Sequence, residues 1–132
     1  MSIIFLDVFA YQFAKEILRH PYLQRYGIDY AEAMDRFGGN EDLFVRLATK
    51  YLNDPHFHAL EAAMAEGDAA AGEREAHSLK GVAGNLSFTQ LYDLATRITD
   101  ALRSDDLAGA QALMPELKQS HEAVVEALGG LA

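Results

Sequence analysis

The stretch Glu75-Ala76-His77-Ser78-Leu79-Lys80-Gly81-Val82-Ala83-Gly84-Asn85-Leu86 decides how the chain is read. Its apolar residues recur at helical spacing, yet two glycines stand just beyond a histidine. At about 100° per residue, Gly81 and Gly84 fall within about 40° of His77 around the helix axis. Ala76, Leu79, Val82, Ala83 and Leu86 gather on the other side. One face therefore meets a core, and the other presents an imidazole beside bare backbone. A glycine inside a helix costs about 1 kcal/mol relative to alanine, a cost that a merely solvated face does not explain. The pattern points to a reactive histidine with space reserved for an approaching partner.

Outward from this segment, apolar residues keep helical spacing nearly everywhere, and no stretch alternates with period two for long. Asp68 is placed to cap the His77 helix, and Gly67 to stop the one before it. That preceding helix carries Phe57, Leu60 and Met64, with Asp54 as its cap and Pro55 in its first turn. Downstream, Leu91, Leu94, Ala95, Ile98, Ala101 and Leu102 line a helix from about Thr89 to Ser104. Another, capped by Asp105 or Asp106, carries Leu107, Ala110, Met114, Leu117, Val124 and Leu128, and Gly129-Gly130 is expected to end it.

Upstream, Asn40 caps a helix with Leu43, Phe44, Leu47, Ala48 and Tyr51 on its packing face. Asp29 caps a shorter one carrying Tyr30, Ala33, Met34 and Phe37, stopped by Gly38-Gly39. Leu6, Phe9, Ala10, Phe13 and Ile17 form the stripe of a first helix. It is expected to end near Arg19, because His20 precedes Pro21 and is biased out of the α region; Pro21 to Ile28 then reads as a connector. Short connections between long helices make sequential helices antiparallel neighbours. The predicted fold is all-α: an antiparallel up-and-down four-helix bundle with additional short N-terminal helices.

The chain has 132 residues, enough for one domain with a real core. Half of its residues are hydrophobic and its net charge is −9. With no run of Lys and Arg to compensate, nucleic acid and anionic membrane surfaces are poor partners. Cysteine is absent, which excludes disulfides and thiolate metal sites. The apolar start, Met1 to Ala10, lacks a basic flank and is interrupted by Asp7, so it reads as a helix of the mature protein rather than a targeting segment. A cytoplasmic location is compatible with these features.

Five histidines compete for a role. His121 lies on the apolar stripe of the last helix, where a partly buried histidine with a hydrogen-bond partner is expected. His20 sits beside Pro21 at a helix end, where a surface or capping role suffices. His56 and His58 are two residues apart and point to different sides of a helix, so they cannot share a metal unaided; they read as surface residues. His77 alone is exposed in mid-helix. Imidazole in water is largely neutral near neutral pH and is then a competent nucleophile. Lys80, one turn away, can balance charge on an anionic group carried by the ring. Phosphoryl transfer fits this set, since it needs positioning and charge stabilisation more than elaborate acid–base chemistry. The chain has no Walker-type loop or Gly-rich ATP lid, so ATP is not expected as a direct donor. The bland alternative is an incidental surface histidine whose glycines serve helix packing, as Gly72 does on the core side.

The segment Ala76-His77-Ser78-Leu79-Lys80-Gly81, continuing through Ala83, Asn85 and Leu86, resembles the signature of histidine-containing phosphotransfer (HPt) domains. A second stretch adds to the likeness: Gly27-Ile28-Asp29, Met34-Asp35-Arg36-Phe37-Gly38-Gly39-Asn40-Glu41, Leu43-Phe44, Tyr51-Leu52 and Asp54. The resemblance runs from about Gly27 to the C-terminus, leaving residues 1–26 as an N-terminal helix and connector packed on a domain of residues 27–132. It implies a four-helix bundle whose exposed histidine takes a phosphoryl group from the phospho-aspartate of a receiver domain and passes it to another receiver. His77 would be the phosphoacceptor and Lys80 the phosphate-stabilising residue. Gly81 and Gly84 would give clearance, and Arg74, Ser78, Asn85 and Phe88 would lie on the docking surface. Partners would be receiver domains of response regulators or of a hybrid sensor histidine kinase. The receiver would supply Mg²⁺, so the chain needs no cofactor or metal of its own and no autonomous kinase activity.

Two departures from the family pattern stand out. Many relatives have a glycine shortly after the Asn-Leu pair, where this chain has Ser87-Phe88. Phe88 is either a docking contact or a residue turning inward at the helix end. The segment before Gly27 is outside the shared pattern; a monomer is expected, with Ile3, Ile4 and Phe5 as the patch for a dimer instead. The ending Gly129-Gly130-Leu131-Ala132 modestly favours a stand-alone carrier. Two other functions compete: a helical adaptor that docks receivers without accepting phosphate, which needs neither His77 nor Lys80, and a metal or enzyme site inside the bundle. The latter needs inward Glu-x-x-His pairs, which the apolar stripes lack.

Overall fold

The computed structural model describes residues 19–131, and every regular element among them is helical. The elements are α1 (Tyr30–Arg36), α2 (Glu41–Thr49), a 3₁₀ turn (Lys50–Asn53), α3 (His56–Glu66), α4 (Ala69–Asn85), α5 (Thr89–Arg103) and α6 (Leu107–Leu131). Each of α3, α4 and α5 packs on its successor, most extensively α4 on α5, and α3 also touches α6, so the four longest helices close into a bundle. α2 lies against α6, and α1 against α2. The core they share includes Phe44, Phe57, Leu60, Leu79, Phe88, Leu91, Ile98, Leu117 and Leu128, all buried. Each such side chain removed from water contributes about 1.5–3 kcal/mol.

Several helix starts lie where the sequence puts them, because short polar side chains take the first free amides. Asp29 accepts from Glu32 N, Asn40 from Leu43 N and Asp68 from Ala71 N. Gly67 closes α3 in the left-handed conformation, φ 70°. The start of α3 is shifted by one residue: Pro55 occupies the cap position, and Asp54 Oδ1 still accepts from His56 N at 2.9 Å.

Three boundaries differ from expectation. Residues 19–25 are helical, so Pro21 neither ends a helix nor opens a connector. Leu23 on this stretch is fully buried and Tyr22 packs edge-on against Tyr26, 5.1 Å between ring centroids; packing outweighs the local bias of the residue before proline. The helix from Glu41 stops at Thr49, and Tyr51 enters the core from the 3₁₀ turn instead. Gly129-Gly130 does not end α6, which continues to Leu131. A Cβ on Gly130 would lie 2.5 Å from Tyr22 Oη, so the glycine marks a close contact with the 19–25 stretch rather than a stop. The N-terminal stripe from Leu6 to Ile17 and the Ile3-Ile4-Phe5 patch lie outside the described residues.

Candidate functional site

Helix α4 carries the site. Gly72, Ala76, Leu79 and Ala83 recur every three or four residues and are buried. The opposite face shows His77 and Gly81, both exposed, with Lys80 half-buried between them. Gly72 behaves as a packing glycine, since a Cβ there would meet Met64 Cε at 2.2 Å and Leu102 Cδ1 at 3.2 Å.

The two glycines beside His77 are not equivalent. A Cβ on Gly81 would meet nothing within 4 Å, so the backbone there faces open space. A Cβ on Gly84 would sit 3.1 Å from Tyr92 Cδ2 and 3.2 Å from Cε2. The clearance at Gly84 is thus filled by an aromatic ring of α5, and its role as clearance for a visiting protein needs correction. Tyr92 is itself 41% exposed, and Lys80 Nζ lies 6.0 Å from its ring centroid, within cation–π range.

His77 is reached from the neighbouring helix by Arg103. Its Nη2 stands 3.4 Å from His77 Nδ1, while its Nε donates to Glu73 Oε1 at 3.0 Å. An open groove of about 460 Å³ runs beside the ring, bounded by His77, Lys80, Gly81, Gly84 and Asn85 of α4 and Tyr92 of α5. Glu32 and Arg36 of α1 form its far wall. Arg74 is exposed and Ser78 half-buried, and neither lines this groove. Arg36 pairs with Glu32 and Arg103 with Glu73, so Lys80 is the cation lining the groove that these pairs do not neutralise.

Phe88 does not belong to the docking surface. It is 0% exposed and packs edge-on against Tyr51, 5.4 Å between centroids. The helix ends just before it in a reversed turn: Ser87 N donates to Gly84 O and Phe88 N to Ala83 O, with Ser87 at φ 59°. This is the Schellman arrangement, which favours glycine at the left-handed position. Ser87 fills that position here and is secured by donating Oγ–H to Glu32 Oε1 at 3.0 Å and accepting from Asp29 N at 2.9 Å. The turn swings Phe88 inward, against the ideal-helix placement that puts it on the His77 face.

His20 is exposed, and the other three histidines have neighbours that account for them. His121 is 8% exposed, stacks on Phe57 at 3.9 Å and lies 2.7 Å from the Tyr51 hydroxyl through Nδ1. Burial holds its basicity below the usual histidine range, with His58 adding to the effect, and burial pushes the Tyr51 phenol upward. His56 is not a free surface residue: Nδ1 pairs with Glu75 at 2.8 Å, bridging α3 to α4. His58 is exposed, 3.9 Å from Glu61. No cluster of three or more His, Asp or Glu able to hold a metal occurs among the described residues, and no helix among them is long and apolar enough to cross a membrane.

Sequence reasoning missed Arg103, Tyr92 and the α1 wall. A signal for two of them existed: Glu73–Arg103 and Gly84–Tyr92 are both symmetric about Phe88, as partners across an antiparallel helix pair should be.

The family model described as Hpt domain matches residues 53–127, more than half of the chain. The chain belongs to the Hpt domain family. Domains of this family carry phosphoryl groups between partners in two-component signalling and are not kinases. Comparisons with curated proteins and with solved structures return no match.

Proposed function

We propose that this chain is a phosphorelay carrier in which His77 receives a phosphoryl group from the phospho-aspartate of a receiver domain and yields it to the aspartate of another. The observation that carries this reading is an exposed mid-helix imidazole with Lys80 one turn away and open space over Gly81. In the transfer, the Nε2 lone pair attacks phosphorus in line, the acyl P–O bond breaks, and the receiver carboxylate leaves. Nε2 is the reacting nitrogen in this reading because Arg103 stands against the Nδ1 side of the ring and obstructs approach there. Lys80 balances charge on the equatorial oxygens, and the receiver brings the Mg²⁺. Receivers of response regulators or of a hybrid sensor kinase would dock along the groove, in the cytoplasm. Residues 27–132 would act as one domain.

The test is incubation with a radiolabelled phospho-receiver. Acid-labile, base-stable label should appear on the chain, vanish in His77→Ala and accumulate more slowly in Lys80→Ala. Label that persists in His77→Ala would rule out the assignment, and receiver binding without any label would indicate an adaptor.

A further inference from the structure

The Arg103 guanidinium is fixed by Glu73 on one side and faces His77 Nδ1 on the other. Arginine has five N–H donors, no acceptor and no accessible neutral form. Its contact with Nδ1 is therefore favourable only while that nitrogen offers a lone pair. We propose that Arg103 is the positioning residue of the phosphoacceptor: it responds to the proton on Nδ1 and so sets how long a phosphoryl group stays on Nε2. The inference rests on the reading of His77 as phosphoacceptor.

A neutral imidazole holds one ring proton. While Nδ1 accepts from Arg103, that proton is on Nε2, which then has no lone pair to attack with. Attack requires the other tautomer, whose Nδ1–H meets Arg103 as donor against donor. When Nε2 forms its bond to phosphorus and the acyl P–O bond breaks, the ring is briefly cationic and releases the Nδ1 proton to water. Nδ1 then keeps a lone pair directed at Arg103, and the 3.4 Å contact can tighten. Loss of phosphate reverses the sequence, because the P–N bond breaks readily only once Nδ1 is protonated and neutral imidazole can leave. Arg103 competes with that proton. It disfavours the attacking tautomer of the empty carrier and protects the loaded one.

The surrounding charges fit this role. On its own helix the ring has Glu73, Arg74 and Lys80 as charged neighbours, and Glu32 and Arg36 stand across the groove on α1. Glu73 holds Arg103. Helix α3 meets α4 elsewhere, where His56 pairs with Glu75.

To test this, the whole chain is loaded with phosphoramidate, a small donor that phosphorylates imidazole without a receiver. Decay of the His77-dependent signal is followed by phosphorus NMR from about pH 5 to 8, the range in which imidazoles titrate. Arg103→Ala should shorten the lifetime near neutral pH about two- to fivefold, the factor carried by one exposed charged contact. It should also move the inflection of the decay profile toward higher pH, because loss of the cation makes Nδ1 easier to protonate. In the unloaded chain, nitrogen NMR should show His77 Nδ1 losing its acceptor signature in Arg103→Ala. Coincident lifetimes and inflections in wild type and Arg103→Ala would overturn the inference while leaving the carrier reading intact. A phosphorus signal unchanged in His77→Ala would sink the carrier reading, and the inference with it.

Discussion

A methyl group added at Gly81 enters open space, whereas one added at Gly84 runs into the ring of Tyr92. Gly81→Ala should therefore raise stability by about 1 kcal/mol in urea unfolding, the helix-propensity difference. The same change should slow phosphoryl uptake from a receiver, because the methyl projects where the partner must approach. Gly84→Ala should show no such gain in stability, since the Tyr92 ring has to yield. A favourable coupling of about 0.5 kcal/mol or more with Tyr92→Ala, read from a double-mutant cycle, would be the signature of that contact. The exposed glycine beside the histidine could be read from helical angles, which need only one helix. The contrast between the glycines needs a second helix: only the antiparallel pairing about Phe88 brings the Tyr92 ring to Gly84 and Arg103 to Glu73.

Among the elements, α4 is fastened at both ends, by Asp68 at its start and by the Ser87 turn at its end. Asp68→Ala should cost about 1 kcal/mol, the usual worth of a side-chain cap. Ser87→Ala should cost about 1 kcal/mol as well, through the lost bond to Glu32. Ser87→Gly should be close to neutral in thermal unfolding, because relief of the left-handed backbone offsets that loss. Caps at Asp29, Asn40 and Asp68 were legible because each is a local bond between a short side chain and an amide three residues on. Pro21 and Gly130 misled because their local preferences are overruled by distant residues: Leu23 is buried in the core, and Tyr22 sits against Gly130. Phe88 is ambiguous in the sequence because a left-handed serine, not a glycine, turns it inward.

For the molecule as a whole, the Tyr51–His121 pair links stability to pH at both extremes. His121 is less basic folded than unfolded, so the unfolded chain binds the extra proton first. Its contribution is intact above the ordinary histidine pKa of about 6.5 and is lost as pH falls below it. Tyr51 is harder to ionise folded than unfolded, so stability is also lost as pH rises through the ordinary tyrosine value of about 10. Urea midpoints across pH should fall at both ends, and His121→Gln should flatten the acid side. The bundle holding this pair gives α4 a further property. Its reactive side chain is exposed, but its backbone is capped at both ends and lodged between α3 and α5. Backbone amides from about Ala76 to Ala83 should then rank among the slowest to exchange with deuterium, opening only when the whole domain opens. The imidazole is thus presented from a backbone held at both ends, so a docking partner meets it at a fixed place on the bundle.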